Sequence, residues 1–166
     1  MIMTPIQLND DAIDYPVYQV HLKRLEEINQ LSFPTPYFTV LLCADFQASN
    51  DSGLSSAIDT LIKKGNLYFC AWGNACEKAH DWYDDAIVEY DIKNKLKYGV
   101  TTTWHDKETL ASALWYLLYC AIVDEQHEDT CSTIVITVAD EGWNQKITDY
   151  LEHCKEFNQL VLEEDQ

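Results

Sequence analysis

The chain has 166 residues, 28 of them acidic and 11 basic, for a formal net charge of −17. A field of that sign repels nucleic acid and anionic membrane surfaces and favours basic protein partners or cations. Hydrophobic residues make up 47% of the sequence, against four prolines and five glycines, so one domain over 1–166 with a sizeable core is expected, with an irregular segment over 1–15.

Six cysteines stand at 43, 70, 76, 120, 131 and 154 without any C-x-x-C pair. Several lie in apolar runs, such as Leu41-Leu42-Cys43 and Tyr119-Cys120-Ala121. They read as small buried hydrophobes of a reducing, cytoplasmic compartment. Residues 1–14 have neither a basic start nor a continuous apolar segment, so they do not read as a signal peptide.

Taken in chain order, Tyr18, Leu22, Leu25 and Ile28 have helical spacing, which predicts a helix over 17–31 that ends at Phe33-Pro34-Thr35-Pro36. A β-favouring run over 37–43 predicts the first strand. The spacing of Leu54, Ile58, Leu61 and Ile62 predicts a helix over 52–64, with Gly65 as its stop. A second strand is expected over 67–72. Gly73-Asn74 then opens a helix that places Ala75, Ala79, Trp82, Tyr83, Ala86, Ile87 and Tyr90 on one face, with Asn74 as its cap and Glu77 completing a capping box. A third strand follows over 98–104. The apolar stretch 110–123 is shorter than the ~18 residues that span a bilayer and reads as part of a buried helix over 107–123. A fourth strand is expected over 132–138, a helix over 141–157, and a short final strand over 160–162.

Strands alternating with helices imply a parallel sheet covered on both faces. The expected architecture is α/β: one three-layer, Rossmann-like domain with a mostly parallel sheet of four or five strands. Sites in such folds lie beyond the carboxyl ends of the strands. There the sequence puts Asp45, then Trp72 with Cys76, Glu77, His80 and Asp81, then Trp104, His105 and Asp106, then Asp140 and Glu141. No glycine-rich phosphate loop accompanies them, which argues against nucleotide binding.

Three chemistries suit these residues. Asp45, Asp106 and Asp140 are of the type that holds a divalent cation, although Asp106 and Asp140 also stand where helix caps are wanted. Cys76 lies in the first turn of a helix with His80 four residues on, an arrangement that activates thiolates or contributes to a zinc site. Trp72 and Trp104 end adjacent segments and could wall a pocket or anchor a partner. Asp84 and Asp85 extend the acidic face begun by Glu77 and Asp81, which suits a basic protein surface.

The block Ala71-Trp72-Gly73-Asn74-Ala75-Cys76-Glu77-Lys78-Ala79-His80-Asp81 resembles an A-W-G-x-x-C-E-x-x-H-D motif of a family of small uncharacterised bacterial proteins. The resemblance implies that Trp72, Gly73, Cys76, Glu77, His80 and Asp81 act together. In size and acidity the chain is also similar to the immunity proteins of bacterial toxin systems. The favoured expectation is an acidic protein-binding module, an immunity or antitoxin-like inhibitor of a basic partner. The alternative is a metal- or thiol-dependent enzyme using Asp45, Cys76 and His80. A homo-oligomer joined through the apolar helix 110–123 is a further expectation.

Overall fold

A computed structural model describes residues 2–164. Five parallel strands, β1 (Val17–Leu22), β2 (Tyr37–Cys43), β3 (Asn66–Trp72), β4 (Thr101–Trp104) and β5 (Cys131–Val138), form one sheet in the order β1-β5-β2-β3-β4. Five α-helices accompany them: α1 (Asp51–Lys63), α2 (Cys76–Asn94), α3 (Leu110–Tyr119), α4 (Glu141–Glu152) and α5 (Cys154–Glu164). The architecture is the α/β, Rossmann-like one expected.

Strands β2, β3 and β5 are buried along nearly their whole length because side chains alternate between two covered faces. Phe38, Val40 and Leu42 of β2, with Ile134 and Ile136 of β5, pack under a 3-10 helix (Leu25–Gln30), α1 and α2. Leu41, Cys43, Cys70 and Val135 pack under α3, α4 and α5. The chain therefore lays its first three crossovers on one face. It returns from β4 through α3 on the other and inserts β5 between β1 and β2. Connections leave β1 and β2 toward one face and β5 toward the opposite face, so a topological switch lies on both sides of β5.

The structure corrects the sequence reading in several places, among them the helix expected over 141–157, which is α4 and α5 parted at His153. The segment expected as a helix over 17–31 is β1 followed by the short 3-10 helix. Tyr18, Val20 and Leu22 face one core, while Gln19 and His21 turn to the opposite face. There Gln19 Nε2 donates to Asn144 Oδ1 at 2.8 Å, and His21 lies 2.8 Å from Thr137 and 3.2 Å from Glu141. The expected strand over 160–162 belongs to α5, whose Cys154, Phe157 and Val161 pack at helical spacing.

The apolar helix is shorter than expected, Leu110–Tyr119, and begins at an Thr109 cap that accepts from Ser112 N. Asp106, expected to cap it, sits exposed in the preceding turn, because His105 folds inward and delays the helix. Beyond the sheet, α3 packs against the neighbouring helices α4 and α5. Trp115 Nε1 donates to Asn158 Oδ1 at 2.7 Å across that contact. Finally, Ala75 rather than Asn74 stands at the cap of α2, at φ +57°, with no side-chain cap and no capping box to Glu77.

No helix among the described residues is long and apolar enough to cross a membrane.

Candidate functional site

Two places at the carboxyl side of the sheet gather chemically capable side chains. The first is the block 71–81, which the tertiary structure divides. Trp72 turns to the α3 face, donating from Nε1 to Glu108 O at 2.9 Å and meeting Trp143 edge-on at 5.2 Å. Gly73 turns the chain at φ +119°. Asn74 O accepts from Phe46 N at 2.9 Å, and its Nδ2 donates to Asp45 Oδ1 at 3.1 Å. Asp45 Oδ1 also accepts from Gln47 N and Ala48 N at 3.1 and 3.0 Å, so this carboxylate organises the loop after β2.

Cys76 is fully buried in the core under α2. Burial pushes its thiol up, opposed only in part by backbone donors from His105 and its own turn. A helix N-terminus alone would lower it, but desolvation is the larger effect here. The same cause raises every other thiol, to about 12 for Cys70 and about 11 for Cys131. With a thiol reagent at neutral pH the native protein is expected to label at Cys120, the half-buried one, and at the other five cysteines only after unfolding. Fast labelling of Cys76 in the native state would contradict this burial.

His80 turns away from the core. Its Nδ1 lies 2.9 Å from Asp81, its Nε2 lies 3.5 Å from Asp84, and its ring tilts against Trp104 at 4.4 Å. Thr102 donates to Asp84 at 2.5 Å, tying α2 to β4. Trp104 pairs in register with Ala71, so it faces α2, whereas Trp72 faces α3. The two tryptophans thus lie on opposite faces and wall no common pocket. His105 is buried beside Glu108 at 2.8 Å and Thr103 at 3.0 Å.

Strand β4 closes one end of the sheet, and among the described residues no strand pairs with its outer edge. Trp104 is 41% exposed there. Along α2, Asp81, Asp84 and Asp85 continue into Val88 and Ile92, which are 61% and 78% exposed. Glu77 lies exposed one turn before them. This edge combines free backbone groups, an aromatic ring, apolar side chains and carboxylates.

The second place is a crevice of about 510 Å³ at the switch beside β5. Asp45 and Asp140 both line it, and Asp106 does not. Among the described residues no group of three or more His, Cys, Asp or Glu side chains is placed to hold a metal ion. Asp140 caps α4 as its position predicts, accepting from Trp143 N at 3.0 Å. Glu141 holds His21 and Asn144 instead of facing the crevice. Ahead of Asp140, Ala139 takes φ +67° inside a tight turn closed by Asp140 N donating to Val138 O at 2.9 Å. A non-glycine residue in that conformation is strained, and such strain concentrates near ligand sites.

The other crevice walls come from Lys23 and Arg24, after β1. Sequence reasoning missed both because it set them mid-helix. The signal that could have found them is the alternation Tyr18, Val20, Leu22, which ends one residue before this pair.

Residues 17–154 match the model of a family described as a domain of unknown function, DUF7684. The match begins at β1 and ends at the first residue of α5, so it takes in the whole sheet, the block 71–81 and the crevice. No curated protein matches the chain.

Proposed function

The chain belongs to the DUF7684 family, and we propose that it is an acidic protein-binding module that docks a basic partner along α2 and the open edge of β4. An inhibitor of the immunity or antitoxin kind, acting in the cytoplasm, is the form of this function that suits a small chain carrying −17. The observation that carries the reading is Trp104. It is a large aromatic side chain left 41% exposed on the edge strand β4, whose outer side meets no strand among the described residues, with Asp81 and Asp84 gathered around the His80 ring that packs against it.

Each part has a role in recognition. The edge of β4 offers backbone groups to an added strand. Trp104 supplies a rigid apolar anchor and a ring face for lysine or arginine. The carboxylates of α2 steer a basic surface and select against an acidic one. Val88 and Ile92 extend the apolar contact along the helix.

The test is purification of the tagged protein from its host at low salt, followed by a salt wash and by the variants Trp104→Ala and D81N/D84N. A stoichiometric basic partner should leave as salt rises. Trp104→Ala should weaken its binding about thirtyfold, as loss of a central anchor does. D81N/D84N should weaken it about tenfold at low salt and flatten the salt dependence. If nothing co-purifies at any salt, or if both variants capture the partner as the parent does, the reading fails.

A further inference from the structure

We propose that the crevice at the carboxyl ends of β1, β5 and β2 binds a small molecule through a single oxyanion group, a carboxylate or a phosphate, gripped by Lys23 and Arg24. This site is separate from the α2–β4 edge and independent of the function proposed for that edge. Its location follows from topology. Connections diverge to opposite faces around β5, and the gap they leave is where open parallel sheets receive ligands. Its volume, about 510 Å³, lies within the range of small-molecule sites.

The charges in the crevice are of two kinds. Arg24 is the sole arginine of the chain, and it stands next to Lys23 on the crevice wall. Among the described residues neither side chain forms an ion pair with a carboxylate. The nearby Glu27 is occupied by their backbone: its Oε2 accepts from Lys23 N at 2.7 Å and from Arg24 N at 3.3 Å. Those bonds fix the turn after β1 and hold the Glu27 carboxyl below its usual range, helped by the nearby charges of Arg24 and Lys23 without an ion pair forming. A guanidinium can hold either oxyanion with two parallel hydrogen bonds.

The carboxylates in the walls serve the fold. Asp45 Oδ1 takes three donors and Asp140 Oδ1 caps α4, while the Glu26 side chain lies over Gly53 in the first turn of α1. They also set a limit on the ligand. A second phosphate extending from Lys23 and Arg24 would meet Asp45, Asp140 or Glu26, so polyphosphates are disfavoured. The half-buried Trp143 ring offers apolar surface to the uncharged body of the ligand, with the core residues Leu25 and Val138 behind it. Salt screens the distant part of the −17 charge beyond about 8 Å, so a bound oxyanion senses chiefly the crevice's own charges, Lys23 and Arg24 in contact and Asp45, Asp140 and Glu26 farther along the walls.

The experiment is a titration of the full chain with benzoate and, separately, with phenyl phosphate at constant ionic strength, followed by backbone and indole NMR. Saturable shifts of the Trp143 indole and the Ala139 amide are expected with at least one probe, and the responsive probe distinguishes a carboxylate from a phosphate ligand. ATP should bind more weakly than phenyl phosphate. Arg24→Gln and Lys23→Gln should each raise the apparent Kd about tenfold, the loss of one charge-assisted contact. Both residues are exposed, so thermal stability should stay unchanged. The proposal is overturned if neither probe gives a saturable shift at the crevice, if shifts fall only elsewhere, or if both variants bind as the parent does.

Discussion

Asn66→Ala is expected to destabilise the fold by about 4 kcal/mol, most of it from buried polar groups left without partners. Asn66 is fully buried at the start of β3. Its Nδ2 donates to Phe38 O at 3.0 Å and to Tyr68 O at 2.9 Å, and its Oδ1 accepts from the Tyr83 hydroxyl at 2.6 Å. One side chain thus joins β2, β3 and α2 in the layer that carries the acidic helix. Alanine removes all three bonds and leaves a small cavity beside the stacked rings of Phe69 and Tyr83.

A loss of that size is a large part of the total stability of an ordinary domain, about 5–15 kcal/mol. Urea denaturation should show a lower midpoint with an unchanged slope. Tyr83→Phe should cost less, about 1.5 kcal/mol, because it removes a single bond and keeps the ring. The double variant should fall short of the sum of the two, since both changes break the same pair. A cost below about 1 kcal/mol for Asn66→Ala would mean that the strands satisfy these groups in another way.

Gly73→Ala is expected to cost about 3 kcal/mol, from backbone strain and steric conflict together. At φ +119° the residue lies in a region that side chains rarely occupy. An added Cβ would press into the Ala44 carbonyl oxygen, which belongs to the backbone and cannot swing aside. The contact holds the loop after β2 against the loop after β3, where Phe46 N donates to Asn74 O and Asn74 Nδ2 donates to Asp45. The variant should therefore lower the melting temperature and also broaden the amide resonances of 45–48. An unchanged melting temperature would show that the loops can part without loss. The glycine of the block 71–81 is, on this account, a packing residue of the carboxyl edge.

That block also shows how far a motif can be read from spacing. Cys76 and His80 are one helical turn apart, yet the first is buried in the core and the second packs against Trp104 at the surface. Their separation depends on how α2 is rotated over the sheet, and Ala79 and Tyr83, pressed into the core, set that rotation. Likewise Trp72 and Trp104 end neighbouring strands but differ by one register step, which places them on opposite faces.

The sequence alone specified the α/β class, four of the five strands (β2 to β5) and the inward faces of α1 and α2. Continuous apolar runs and 3.6-residue spacing survive in almost any packing. It also determined the Asp140 cap, which needs only its own helix. Tertiary structure decided what depends on distant partners. The segment 17–22 carries both helical and strand spacing, and it becomes β1 because Gln19 and His21 find polar partners on α4 while its backbone pairs with β5, more than a hundred residues along the chain. The 160–162 run becomes helical because Phe157 and Val161 meet the flank of α3. The crevice exists only once β5 has entered between β1 and β2, so its cationic pair could be recognised only after the sheet order was known.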